Sequence, residues 1–175
     1  MFYCQHILGM GHLIRSVEIV RGLIPDFQIC FVNGGQVIEE FEFPREIEVI
    51  NIPAIKTDSE FTELTPVDDS LTMSELETIR TKILLETCDR FQPDILIIEL
   101  FPFGRRRFSF ELIPLMEKAK AMGTKIVSSV RDIVVTKQDQ QRHEEKVCRL
   151  INKYFDMLLI HGDPNFVKLN LSFSR

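Results

Sequence analysis

Short apolar runs alternate with segments of helical period along most of this chain. Residues 1–5 are apolar enough for a first strand. Leu13, Val17, Val20 and Ile24 then share one face of a helix over residues 12–24, which Pro25 ends. Residues 27–33 (FQICFVN) read as a second strand closed by Gly34 and Gly35; a short helical turn follows, then a third strand over 47–52. Residues 53–71 (PAIKTDSEFTELTPVDDSL) are polar and lack a period. So long a connection predicts either a wall over a binding cleft or a plain surface loop.

Thr72 with Glu75, and Ser74 with Glu77, both fit a capping box at a helix start. Leu76, Ile79, Ile83 and Thr87 predict the buried stripe of that helix. Residues 95–99 follow Pro93-Asp94 as a strand whose ILII core lacks polar alternation, which predicts cover on both faces. Residues 109–122 predict a helix with Pro114 near its first turn and Gly123 at its end. A strand over 125–130, a helix over 138–153 and a strand over 157–160 complete the series.

This succession predicts an α/β fold: a Rossmann-like, doubly wound parallel sheet with helices on both faces. Residues 1–161 form one such domain, and residues 162–175 read as the start of a linker. Composition sharpens the class. The chain has 175 residues, 45% hydrophobic and 27% charged, with a net charge of -5. That balance argues against a nucleic-acid partner. Cys4, Cys30, Cys88 and Cys148 are widely spaced, without a metal-binding pair, and fit a reducing, cytoplasmic compartment. No apolar run approaches the roughly 20 residues of a membrane span. Peripheral association with a membrane stays compatible with the sequence.

In open α/β sheets ligands bind beyond the carboxyl ends of the strands. His6, Gly9, Gly11 and His12 follow the first strand, and Asn33, Gly34 and Gly35 follow the second. Glu99 and the loop LFPFGRRRF follow the ILII strand; Ser128, Ser129, Arg131 and Asp132 follow the next; His161, Gly162 and Asp163 follow the last. Gly9 and Gly11 allow a sharp turn and close approach of an anion to a helix N-terminus, or a tight turn with no ligand. His12 is either a general base or a packed helix-start residue. Glu99 closes an apolar strand and must be solvated, paired or functional, with Arg105, Arg106 and Arg107 within sequence reach. Phe101, Phe103 and Phe108 either line an apolar acceptor site or anchor the loop. Arg131-Asp132 reads as a salt link, His161 to Pro164 as a turn, and His143 as a solvated helix residue. A dinucleotide motif is excluded, because Ile14 stands at its third glycine and Asn33 at its acid.

YCQHILGMGHLIRS (3–16), ELFPFGRRRFSFEL (99–112) and HGDP (161–164) together resemble the N-terminal half of predicted glycosyltransferases of the GT-B fold. These are similar to the N-acetylglucosamine transferase that makes lipid-linked peptidoglycan precursor. The resemblance implies two Rossmann-like domains facing a cleft, the first binding the acceptor and the second the nucleotide-sugar donor. The implied reaction is transfer of a hexosyl group to an acceptor hydroxyl, without metal or cofactor. The acceptor is expected to be hydrophobic or lipid-linked. His12 and, from its place at the end of the apolar strand, Glu99 are the expected catalytic residues. The resemblance places Gly9, Gly11 and Arg15 near the donor diphosphate, with His12 as base or phosphate contact; Phe103, Arg105 and Arg106 of the strand-end loop are the further expected substrate contacts. No donor domain is found within these residues, so the chain alone is expected to show little transfer. A nucleotide-sugar hydrolase built on the same Gly-x-Gly-His turn and a non-catalytic binding module are the rival expectations.

Overall fold

The computed structural model describes residues 1–7, 9–57, 63–131, 133, 139–163, 165–166 and 168–174. In chain order the elements are β1 (Phe2–Cys4), α1 (Gly11–Leu23), β2 (Cys30–Asn33), β3 (Glu48–Asn51), β4 (Ile55–Thr57) and β5 (Leu64–Pro66). They continue with α2 (Met73–Phe91), β6 (Ile95–Glu99), α3 (Ser109–Ala121), β7 (Lys125–Arg131), α4 (Gln140–Tyr154) and β8 (Met157–His161). Six strands form one parallel sheet in the order β3-β2-β1-β6-β7-β8. This is a Rossmann-like α/β architecture.

Strand alternation divides the core in two. Phe2, Phe31, Ile97 and Val127 point to the face that packs α1 through Leu13, Val17 and Val20. Tyr3, Val32, Leu96, Ile98 and Ile126 point to the opposite face, against Leu76 and Leu84 of α2 and Leu112, Leu115 and Met116 of α3. Successive strands run outward from β1 in one direction and from β6 in the other. The point of reversal lies between β1 and β6, where an open α/β sheet leaves a crevice.

The capping box resolves to Thr72 and Glu75: the Thr72 N–H donates to Glu75 Oε2 at 2.9 Å, and the Glu75 N–H donates back to Thr72 Oγ1 at 3.3 Å. Ser74 lies inside α2. The buried stripe of α2 is Leu76, Arg80, Leu84, Thr87 and Cys88, while Ile79 and Ile83 are only half-buried. A fully buried arginine therefore stands where the apolar pattern breaks. Pro114 sits in the second turn of α3, one turn further in than its chemistry favours, and leaves the Phe110 carbonyl without its usual N–H. Gly123 ends α3 at φ 82°, in the left-handed region.

Residues 53–71 are not featureless: β4 and β5 pair antiparallel across them. Residues 58–62 of that expected wall lie outside the described residues. His143 is also not solvated. It is 3% exposed on the inner face of α4 with Glu144 and Val147, because the end of the chain packs over that face. There Glu144 Oε1 accepts from the Ser174 N–H at 2.9 Å, and Phe173 packs edge-on against Phe103 with ring centroids 5.0 Å apart. Asp132 of the expected Arg131-Asp132 link and Pro164 of HGDP lie outside the described residues. Among the described residues no helix is long and apolar enough to cross a membrane.

Candidate functional site

The alternation that builds the α1-side core continues to the carboxyl ends of the strands, where apolar residues give way to polar ones. Two residues beyond Phe2, Phe31, Ile97, Val127 and Leu159 stand Cys4, Asn33, Glu99, Ser129 and His161. All five fall on the α1 face. The first turn of α1 lies over this row. Its N-cap is Met10, without a side-chain cap, and no acidic residue occupies the first turn. The leading N–H groups of α1 thus have no competing side-chain acceptor and favour an anion. Gly9 adopts φ 75°, and a Cβ placed on Gly9 or Gly11 would meet no atom within 4 Å. The loop backbone is open on that side.

At the reversal point the chain closes a three-residue cluster. Glu99 is fully buried at the end of β6. His12 Nδ1 lies 2.7 Å from Glu99 Oε1, and Arg15 Nη2 donates to the same oxygen. Glu99 Oε2 and Arg15 Nε have no hydrogen-bond partner among the described residues. A carboxylate only accepts, so Nδ1 carries a proton, and in the neutral ring the lone pair is on Nε2. The His12 side chain is 23% exposed and that of Arg15 27%, so the cluster opens to solvent above a buried carboxylate.

The backbone just after Glu99 is bent sharply. Leu100 has φ 63°, and the Phe101 N–H donates to the Glu99 carbonyl at 2.9 Å, which makes a γ-turn. This turn leads the following loop away from Glu99. Arg15, and not Arg105, Arg106 or Arg107, is therefore its ionic partner. Arg105, itself left-handed at φ 56°, has no ion-pair partner among the described residues and lies near enough to His6 and Cys4 to bias their titration. Arg106 instead lines an open groove with Arg107, Lys146 and Arg149, away from the cluster.

Phe103 packs with Val130, Val147 and Phe173, and Phe101 and Phe108 are fully enclosed. The loop aromatics are anchors. The structure brings together His12, Glu99, Arg15, Gly9, Gly11 and the Arg105 charge, and leaves Phe103 and Arg106 outside the cluster.

Burial pushes the Cys4 thiol up to about 12, with the Glu99 charge adding to the effect. We therefore expect iodoacetamide at pH 8 to leave Cys4 unmodified in the native chain while labelling it after denaturation; mass spectrometry of tryptic peptides reads the difference.

A second polar layer lies on the other face. Arg80 Nε donates to Glu111 Oε2 at 2.7 Å, and its Nη2 to Glu111 Oε1 at 2.6 Å and to Gln5 Oε1 at 2.6 Å. Its Nη1 donates to the carbonyls of Gly34 at 3.0 Å and Pro53 at 2.7 Å. The Tyr3 hydroxyl donates to Glu111 Oε1. Burial, reinforced by the Glu111 charge, holds the Tyr3 phenol well above its ordinary range.

Gln5 Nε2 donates to the His6 carbonyl at 2.9 Å, so this layer sets the backbone of the strand-end loop. His6 Nε2 lies 3.1 Å from Asn33 Oδ1, while Asn33 Nδ2 donates to Asn51 Oδ1 at 2.9 Å. Asn33 Oδ1 must then accept, and the His6 proton sits on Nε2. Burial, aided by the Arg105 and His12 charges, pushes His6 below its ordinary value; the Asn33 bond offsets this in part.

No protein-family model matches this chain, and no curated protein is similar to it. The site therefore stands on its own geometry.

Gly35 packs directly on the His6 ring: a Cβ there would lie 2.3 Å from Nε2. We expect Gly35→Ala to cost about 1–3 kcal/mol through overpacking, read as a lowered urea midpoint with an unchanged slope. Arg80, Glu111, Gln5 and Asn51 were not among the residues expected from sequence. The available signal was Arg80 itself, at the i+4 position between Leu76 and Leu84 on an otherwise apolar stripe.

Proposed function

We propose that this chain is the acceptor-binding half of a nucleotide-sugar-dependent glycosyltransferase, with His12 as its general base. The observation that carries the reading is the 2.7 Å bond between His12 Nδ1 and a fully buried Glu99 at the reversal point of the sheet. That bond leaves Nε2 free to accept a proton. The acceptor hydroxyl gives its proton to Nε2 as its oxygen attacks the anomeric carbon. The bond from that carbon to the nucleoside diphosphate breaks, and the electron pair leaves on phosphate oxygen. Glu99 offsets the charge of the imidazolium that forms. The uncapped start of α1 and the Arg15 and Arg105 guanidiniums supply positive potential toward the departing diphosphate. The donor is a substrate, and the reading calls on no cofactor.

The enclosed Phe101, Phe103 and Phe108 give no apolar surface for a lipid. The proposal is therefore limited to a hydroxyl acceptor. Joining the chain to a donor-binding domain, and measuring nucleoside diphosphate release from a panel of nucleotide sugars with and without alkyl glycosides, tests it. Release that requires the glycoside, together with little release by the 175-residue chain alone, is the expected result. Equal release without any glycoside would make this a hydrolase, with water in place of the hydroxyl.

A further inference from the structure

A cavity of about 270 Å³ lies at the amino ends of β1 and β6, the opposite end of the strands from Glu99. Its floor is apolar: Phe2 of β1, Ile97 of β6 and Ile29 just before β2 are buried there, with Val20 of α1 over them. Leu23 and Phe91, the last residues of α1 and α2, form its walls. Phe27 lines the same cavity with 50% of its surface exposed, so an aromatic ring faces both the cavity and solvent.

The rim is acidic. Asp26 and Asp94 are exposed there, and neither carboxylate has a hydrogen bond or ion pair among the described residues. The carbonyl ends of α1 and α2 add partial negative charge. Among the described residues no lysine or arginine lines the cavity. Arg21 and Arg90, the cations of the two helix ends, are paired with Glu18 and Glu48 instead. The Met1 amine at the wall donates to the Ile95 carbonyl at 2.9 Å. Burial lowers it to about 6, so at pH 8 it is neutral and leaves the two acids without a counter-charge.

We propose that this cavity binds a small organic cation, an apolar body carrying one ammonium group. A dry cavity of roughly 150 Å³ holds benzene. The larger volume here takes a ring with a short chain, laid on Phe2, Ile29 and Ile97. The ammonium stays at the rim, where two carboxylates and the Phe27 ring each attract it. A carboxylate ligand of the same shape meets two like charges, and a neutral one leaves both acids unused. The site lies apart from His12 and Glu99 and does not rest on the transferase reading.

Phenethylammonium is the probe, with 2-phenylethanol and 3-phenylpropionate as its neutral and anionic counterparts. The full chain at pH 8, labelled with 13C at valine, leucine and isoleucine methyls and 15N at glycine, is titrated with each. We expect saturable shifts at the Val20, Leu23, Ile29 and Ile97 methyls, with a dissociation constant of about 1 mM or tighter. The alcohol should bind about fivefold more weakly, and the propionate more weakly still. Asp26→Asn combined with Asp94→Asn should weaken the ammonium by about threefold to tenfold, and Phe27→Ala by about twofold or more. All three side chains are exposed, so the variants keep the fold, which the methyl spectrum itself reports. An absence of saturable shifts at these methyls, an alcohol or propionate that binds as tightly as the ammonium, or a double variant of unchanged affinity would each overturn the proposal. Shifts centred on the Gly9 and Gly11 amides would place the cation at the other end of the sheet and overturn it as well. None of these readouts uses glycosyl transfer, so the transferase reading keeps its own test.

Discussion

Replacing Glu111 with Ala will destabilise the fold by about 3–5 kcal/mol, because it leaves a buried guanidinium without its counter-charge. Arg80 and Glu111 are both fully buried, and two of the guanidinium's donors end on the two oxygens of that carboxylate. The loss is not local. The same guanidinium holds Gln5 and the carbonyls of Gly34 and Pro53, so the loop after β1, the turn after β2 and the segment before β4 all share the anchor. An exposed pair on this chain, such as Lys82 with Glu86, carries no such cost and should change stability by less than about 1 kcal/mol when broken. The double change Arg80→Met with Glu111→Leu removes both charges together and should recover much of the loss. Urea midpoints of the three variants decide it. A Glu111→Ala variant as mildly affected as Glu86→Ala would show that Arg80 finds water or another partner.

If the proposed reading holds, Glu99→Gln will lower the turnover of the chain joined to a donor-binding domain by about 10²–10⁴-fold while leaving the fold and acceptor KM near their starting values. The carboxamide has nearly the volume of the carboxylate and can still accept from His12 Nδ1. It lacks the negative charge that stabilises the imidazolium as the acceptor proton transfers. The amide oxygen can still accept from Arg15, but it no longer offsets the guanidinium's charge beside the ring. A purely structural carboxylate would instead show its loss in the urea midpoint, with turnover of the folded fraction intact. Steady-state kinetics and denaturation on the same preparation separate the two.

The sheet was legible because its strands are short apolar runs bounded by glycine and proline. The strand expected over 95–99 has those bounds in the structure, and the helix expected over 12–24 is displaced by one residue. His12 and Glu99 were legible for a related reason: each follows a strand at the rim where parallel sheets bind ligands. What was not legible depends on contacts across the fold. Periodicity follows the apolar positions, so the stripe read from Leu76, Ile79, Ile83 and Thr87 passes over Arg80, which is buried among Leu76, Leu84 and Cys88. Glu99 had three arginines close in sequence, yet after the turn at Leu100 none of them pairs with it, and Arg15 arrives from α1. Phe103 reads in the sequence as either an acceptor contact or an anchor, and its packing against Val130, Val147 and Phe173 makes it an anchor. His143 reads as solvated for the same reason in reverse, since the segment covering α4 is the end of the chain.

The central claim is that His12, oriented by Glu99, removes the acceptor proton. Single-turnover transfer by His12→Ala in the assembled enzyme, with donor and acceptor saturating, tests it most directly. The account predicts a fall in rate of about 10²–10⁴-fold with ligand affinities nearly unchanged. A His12→Ala enzyme that transfers at the wild-type rate would contradict it.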